Sequence, residues 1–234
     1  MLIPSQSWGE DIAIDSSFVK LNLSSIKENI AHYNVKIIAV TKYFGLKAIK
    51  AGYDAGIRNF AESRALESIE KIKQLPQEVR DNSTFHFIGH LQSNKADKVV
   101  QYFDVIHSVD SFKIASAISK SACSLNKIEK VLLQVNNAGE EQKSGYSKDQ
   151  LRKELKEVLS LEGIEVIGLM NMAPLGADEE SLKRLFGDIR VFRDELEEEF
   201  GITIPELSMG MSDDYKVAVR EGATMIRIGR KLFT

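Results

Sequence analysis

The 234-residue sequence contains one cysteine, four prolines and no long apolar run. Each shortage removes a class of protein. A lone Cys123 cannot close an internal disulfide and excludes the paired CxxC spacing of zinc and redox sites. That usage suits a reducing, cytoplasmic compartment. No stretch approaches the roughly 18–20 consecutive apolar residues that span a bilayer. The opening residues, MLIPSQSWGE, lack the basic start and apolar centre of a secretory signal. No membrane role is therefore expected. Neither sign of charge is in excess, since 31 Lys and Arg face 34 Asp and Glu for a net charge of −3. So even a balance gives no broad electrostatic reason to bind nucleic acid. Linkers rich in Pro, Gly or Ser are missing, as are low-complexity tracts and repeats. One domain over residues 1–234 is expected.

What is present is a regular alternation. Apolar runs that read as strands are Val35–Thr41, Arg58–Ala61, Thr84–Ile88, Val105–Ser108, Lys130–Val135, Glu165–Met170, Glu206–Ser208 and Met225–Ile228. Several are near-continuous Val, Ile and Leu, as suits parallel strands covered on both faces. Between them, Leu182, Leu185, Phe186, Ile189, Phe192 and Leu196 fall on one helical stripe. Phe112, Ala115, Ile118 and Ala122 form another. A leading helix over 16–33 has a stripe of Phe18, Leu21, Ile26, Ile30 and Tyr33. At about 25 residues per strand-helix unit, a (β/α)8 (TIM) barrel with an extra N-terminal helix is expected, with an eight-strand open sheet as the alternative.

In such a barrel the reactive groups gather at the C-terminal ends of the strands. Lys42 follows Ile37–Val40 directly. An amine partly desolvated at a barrel mouth is a nucleophile toward aldehydes; the competing reading is a surface lysine. The run Leu207–Asp214 follows the seventh strand and opens a helix over 213–221. There Gly210 permits a tight turn and Ser212 is expected as N-cap. Free N–H groups at that turn suit an anion. Asp213 and Asp214 read as helix-capping acids. Arg227-Ile-Gly229-Arg230 closes the eighth strand, and phosphate sites of such barrels use the seventh and eighth loops. Arg227 shares a face with Met225 and should point inward, where a cation requires a partner. His86 and His90 straddle a strand end without a following Glu, so they read as hydrogen-bonding groups, not a metal pair. His32 and His107 offer no constellation, no metal site is expected, and Cys123 reads as packing. A phosphorylated aldehyde satisfies lysine, phosphate cradle and arginine together, and pyridoxal 5′-phosphate (PLP) is one.

At these residues the sequence resembles the PLP homeostasis (PLP-binding) protein family of YggS/PROSC type. The resemblance rests on AVTK (39–42), HFIGHLQSNK (86–95), IHSVDS (106–111), QVNNAGEEQKSG (134–145), GLMNM (168–172), LSMGMSDDY (207–215) and MIRIG (225–229). It implies a barrel like the N-terminal domain of alanine racemase. It implies PLP as an internal aldimine on Lys42, phosphate near Ser208, Met211, Ser212, Gly229 and Arg230, and Arg227 against the pyridine nitrogen. Tyr43-Phe44-Gly45 replaces the Thr-Lys/Arg-Pro of many relatives. Phe60-Ala61-Glu62-Ser63 replaces FGEN.

The role so implied is intracellular PLP (vitamin B6) and amino-acid homeostasis, with little or no turnover and no catalytic residue. An arginine at the ring nitrogen makes a weak electron sink. A two-base racemase also needs a second acid, which alanine racemase takes from a separate domain; this sequence stops at Thr234, and that domain is expected to be missing. Tyr43 and Tyr215 are not placed by the sequence. PLP-accepting apoenzymes or a regulatory protein are the expected partners, and a monomer the expected state. The alternatives are a PLP-dependent amino-acid racemase or related PLP enzyme, and a Schiff-base aldolase.

Overall fold

The computed structural model describes residues 14–139 and 144–234. MLIPSQSWGE and part of the 134–145 motif lie outside the described residues. Helix α1 (Ser16–Asn29) precedes the first strand, β1 (Lys36–Val40). There follow α2 (Leu46–Asp54), β2 (Asn59–Glu62), α3 (Ala65–Lys73), α4 (Gln77–Asp81) and β3 (Thr84–Phe87). A 3-10 turn (Ser93–Lys95) leads into α5 (Ala96–Tyr102), β4 (Val105–Val109), α6 (Phe112–Ser124) and β5 (Glu129–Gln134). The second half holds α7 (Lys148–Leu159), β6 (Ile164–Met170), α8 (Glu179–Phe200), β7 (Glu206–Ser208), α9 (Tyr215–Arg220), β8 (Met225–Ile228) and α10 (Arg230–Phe233).

All eight strands pair in parallel and in chain order, and β8 returns to β1 with Ile38 opposite Arg227. The sheet is thus closed, which decides for the barrel over the open sheet. Alternation along each strand sorts side chains between two cores. Ile38, Ala61, Val105, Leu132, Met170 and Met225 fill the barrel interior. Their neighbours, such as Ala39, Phe60, Ile106, Ile226 and Ile228, pack outward against the helices. Arg227 shares the parity of Met225 and so points inward, as expected.

Caps fix where the helices begin. Asp15 accepts from Ser17 N at 2.9 Å for α1, Ser147 from Gln150 N at 3.1 Å for α7, and Asp178 from Ser181 N at 2.8 Å for α8. The stripe expected on α8 is the buried one, with Leu182, Phe186, Ile189, Phe192 and Leu196 against the core. That of α1 is buried only in part: Ile26 and Ile30 face the core as expected, whereas Phe18, Leu21 and Tyr33 are exposed and Val19 and Leu23 take the core positions. Val19, Leu23, Ile26 and Ile30 form one stripe at i, i+4, i+7 and i+11, on a helix that packs against α2 and α10. Asn22 Nδ2 donates to the Leu232 carbonyl at 3.1 Å on that side. Cys123 is exposed rather than packed, one position past the buried Ala122. No described helix is long and apolar enough to cross a membrane.

Candidate functional site

The C-terminal strand ends form one rim. Lys42 lies two residues beyond Val40 and continues the inward parity of Ile38 and Val40. It is half-buried, and its Nζ stands 4.9 Å from the centre of the Tyr43 ring. Among the described residues it has no hydrogen bond or ion pair. The backbone on both sides of it is clamped from α3. Lys71 Nζ donates to the Thr41 carbonyl at 3.0 Å, to the Phe44 carbonyl at 2.7 Å and to Glu62 Oε1 at 2.6 Å. The Thr41 hydroxyl donates to the same carboxylate oxygen at 2.7 Å. Glu62, like Phe60, is unaltered within Phe60–Ser63, so the two departures there leave this clamp in place.

Arg227 is 3% exposed. Its Nη1 donates to the Ser208 carbonyl and hydroxyl, each at 2.7 Å, and its Nη2 to the Asn171 carbonyl at 2.8 Å. All three acceptors are neutral. Burial lowers its pKa to about 10, with the charge of Asp214 opposing the fall, so it stays cationic at neutral pH. Nearby, the buried Asn171 carboxamide gives its nitrogen to Asn137 Oδ1 at 3.2 Å, and its oxygen has no donor.

The sequence-expected phosphate residues separate into groups. Ser208 is fully buried, with its hydroxyl committed to Arg227 and to His107 Nδ1 at 2.9 Å. Its hydroxyl therefore belongs with Arg227 inside the barrel and not with the phosphate loop. The Met211 N–H is taken by Asp214 Oδ1 at 2.5 Å. Ser212 does not cap the helix it precedes. That helix starts at Tyr215, because the Asp214–Met211 turn delays it, and Ser212 Oγ instead accepts from Lys231 N of α10 at 3.4 Å. Ser212 thereby joins the seventh loop to the eighth. Gly210 makes the turn at φ +90°, where an added Cβ would stand 2.6 Å from that of Ala218. A Cβ at Gly229 would crowd the Val40 carbonyl at 3.3 Å, so this position keeps the backbone close to β1. The Arg230 side chain lies on the surface, paired with Asp213 at 2.6 Å, both about 70% exposed. Of Arg230 the rim receives the backbone, at the start of α10.

The chemistry of these residues fits PLP. An amine without a hydrogen-bond partner, a buried donor-only cation and the backbone turns after β7 and β8 share one rim, and each matches one part of that molecule. Sequence reading missed His107, which lies in the interior against Ser208 and His86, and Asn171. The parity shared with Val105 was the available signal for His107.

The alanine racemase N-terminal domain model matches residues 14–234. A protein of Synechocystis sp. named pyridoxal phosphate homeostasis protein is 42% identical over 200 residues, 86% of this chain and 91% of that protein. One of the same name from Aquifex aeolicus is 36% identical over 198 residues, 85% of this chain and 86% of that protein. The structure of PipY from Synechococcus elongatus PCC7942 with PLP bound is similar at TM-score 0.84 and 39% identity, covering 92% of this chain and 100% of PipY. Alanine racemase of Clostridium difficile, 19% identical at TM-score 0.76, shares the fold over 94% of this chain and 57% of its own. The chain belongs to the alanine racemase N-terminal domain family, among its pyridoxal phosphate homeostasis proteins.

Proposed function

We propose that this protein binds PLP at the barrel rim and acts in intracellular PLP (vitamin B6) and amino-acid homeostasis, with little or no turnover. The observation that carries this reading is Arg227, a buried cation whose partners are all neutral oxygens. A donor-only group held inside an apolar barrel with no carboxylate hydrogen-bonded to it is suited to a neutral acceptor such as a pyridine nitrogen. Lys42, with no competing partner, would hold the aldehyde carbon. The backbone of Ser212 and of Gly229–Arg230 would take the phosphate, since the Met211 N–H is held by Asp214. PLP supplies, when bound, an aldehyde that condenses with amines and a ring that accepts electrons.

The chain's own residues argue against fast chemistry. Arg227 cannot accept a proton and offers none that it readily loses, so it would hold a ring nitrogen as an unprotonated acceptor. Tyr215 is 1% exposed within the outer core and is withdrawn from the rim. Tyr43 sits beside Lys42 itself. A racemase needs a second acid facing the first. The partners that follow from a carrier role are PLP-accepting apoenzymes or a regulatory protein, and the setting is a monomer in the cytoplasm.

The test is an absorbance spectrum of purified protein with PLP, before and after borohydride, followed by mass spectrometry of the Lys42 peptide. A visible band that collapses on reduction, with a pyridoxyl adduct on Lys42, is expected. No band and no adduct would sink the reading and favour the aldolase. Amino-acid racemisation above about 1 s⁻¹, an ordinary enzyme rate, would favour the PLP enzyme.

A further inference from the structure

Beneath Arg227 a continuous series of hydrogen bonds crosses the barrel interior. Arg227 Nη1 donates to Ser208 Oγ at 2.7 Å, and that oxygen lies 2.9 Å from His107 Nδ1. His107 Nε2 lies 2.9 Å from His86 Nδ1, and His86 Nε2 lies 3.1 Å from Asn59 Oδ1. Arg227, Ser208, His107 and His86 are all buried. The series passes from β8 and β7 across to β4, β3 and β2. It ends at a cavity of about 720 Å³ on the floor of the barrel, which His86 and Asn59 help to line.

Its direction follows from its ends. A guanidinium only donates, so Ser208 Oγ accepts from Arg227. The single hydroxyl hydrogen of Ser208 then goes to His107 Nδ1. A neutral imidazole carries one N–H. His107 therefore donates from Nε2 to His86 Nδ1, and His86 donates from Nε2 to Asn59. Burial keeps both rings neutral, pushing His86 down to about 3 with help from Lys36 and holding His107 well below its ordinary range. Every hydrogen in the series points away from the rim.

We propose that His107 is a positioning residue of the cofactor site: through Ser208 it aims Arg227 at the place of the ring nitrogen, and His86 with Asn59 fix its tautomer from the floor. The identity of the ligand rests on the PLP reading; the direction of the series does not. A series so directed cannot pass a proton up to the rim without reversing every bond in it. It thereby keeps the rim end a pure donor.

Two measurements test this. In ¹⁵N-labelled protein without PLP, long-range ¹H–¹⁵N spectra at neutral pH should give both His86 and His107 as neutral Nε2–H tautomers. An Nδ1–H tautomer or a charged ring at either position overturns the direction, whether or not PLP binds. In the PLP-loaded protein, His107→Leu removes both the acceptor and the donor, whereas His107→Gln supplies both from one carboxamide. The Leu variant should bind PLP about tenfold more weakly, the upper end for the loss of one ordinary hydrogen bond, and should shift the visible band. The Gln variant should restore both. Wild-type affinity and band in the Leu variant overturn the positioning role and leave the PLP reading standing. If wild-type protein takes up no PLP at all, both fall. Should His107→Leu fail to fold, Ser208→Ala deletes one hydroxyl and makes the same comparison.

Discussion

Two cations stand behind the same rim, and the fold treats them in opposite ways. Lys71, 15% exposed at its side chain, is joined to the buried Glu62 and ties down the carbonyls of Thr41 and Phe44. Arg227, more deeply buried, meets only neutral oxygens. A charge with its counter-ion in place serves the scaffold. A buried cation hydrogen-bonded only to neutral oxygens is costly to keep, which agrees with the role proposed for it at the ligand. The pair therefore separates architecture from site within one ring of strand ends.

The sharpest way to break that contrast is to remove the counter-ion. Glu62→Gln strands Lys71 and should lower stability by about 2–3 kcal/mol in urea unfolding, toward the low end for a broken buried pair because Lys71 is partly exposed. A loss under about 1 kcal/mol would mean that the clamp is ornamental. Acid should come next. His86 is held at about 3 in the fold against an ordinary 6.5, chiefly by burial. Between those values the unfolded chain takes up a proton that the folded protein refuses, so stability falls as pH drops from 6.5 toward 3. His86→Gln should flatten that stretch of the Tm–pH curve, and an unchanged slope would assign the acid sensitivity elsewhere. Arg227→Met should stay within about 1 kcal/mol of the parent, since an apolar residue replaces an uncompensated charge. Its PLP affinity should nonetheless drop and the visible band move. A destabilisation as large as that of Glu62→Gln would erase the distinction between the two cations. The smallest effect on stability belongs to Lys42→Ala, within about 0.5 kcal/mol, with borohydride no longer fixing PLP to that peptide.

The barrel was legible because each strand is a short apolar run, and all eight observed strands lie within about a residue or two of the runs read from the sequence. Lys42 and Arg227 were legible for the same reason: a charged residue at a strand end or on an inward parity stands out against its neighbours. What failed was non-local. The burial of α1 depends on α2 and α10, so Phe18 and Leu21 passed for a core stripe that Val19 and Leu23 occupy. Ser212 has the residue type of a helix cap, but its partner is Lys231 in another loop. His107 was set aside because its partner Ser208 lies 101 residues away, across the width of the barrel. Hydrogen bonds between side chains on different strands leave no periodic trace in a single sequence.

The pairing of Ile38 with Arg227 places β1 and β8 side by side at the join where the sheet closes on itself. Lys42 extends one of those strands and Arg227 belongs to the other. A small molecule gripped by both works as a clasp across that join, fastening the first strand made to the last. Its binding adds RT ln(1 + [L]/Kd) to whatever holds the closed form over the opened one. Partial opening at the join, with the remaining strands still paired, is the kind of local fluctuation such a fastening would suppress. The supply of a ligand so bound would then set how often this barrel breathes at its seam.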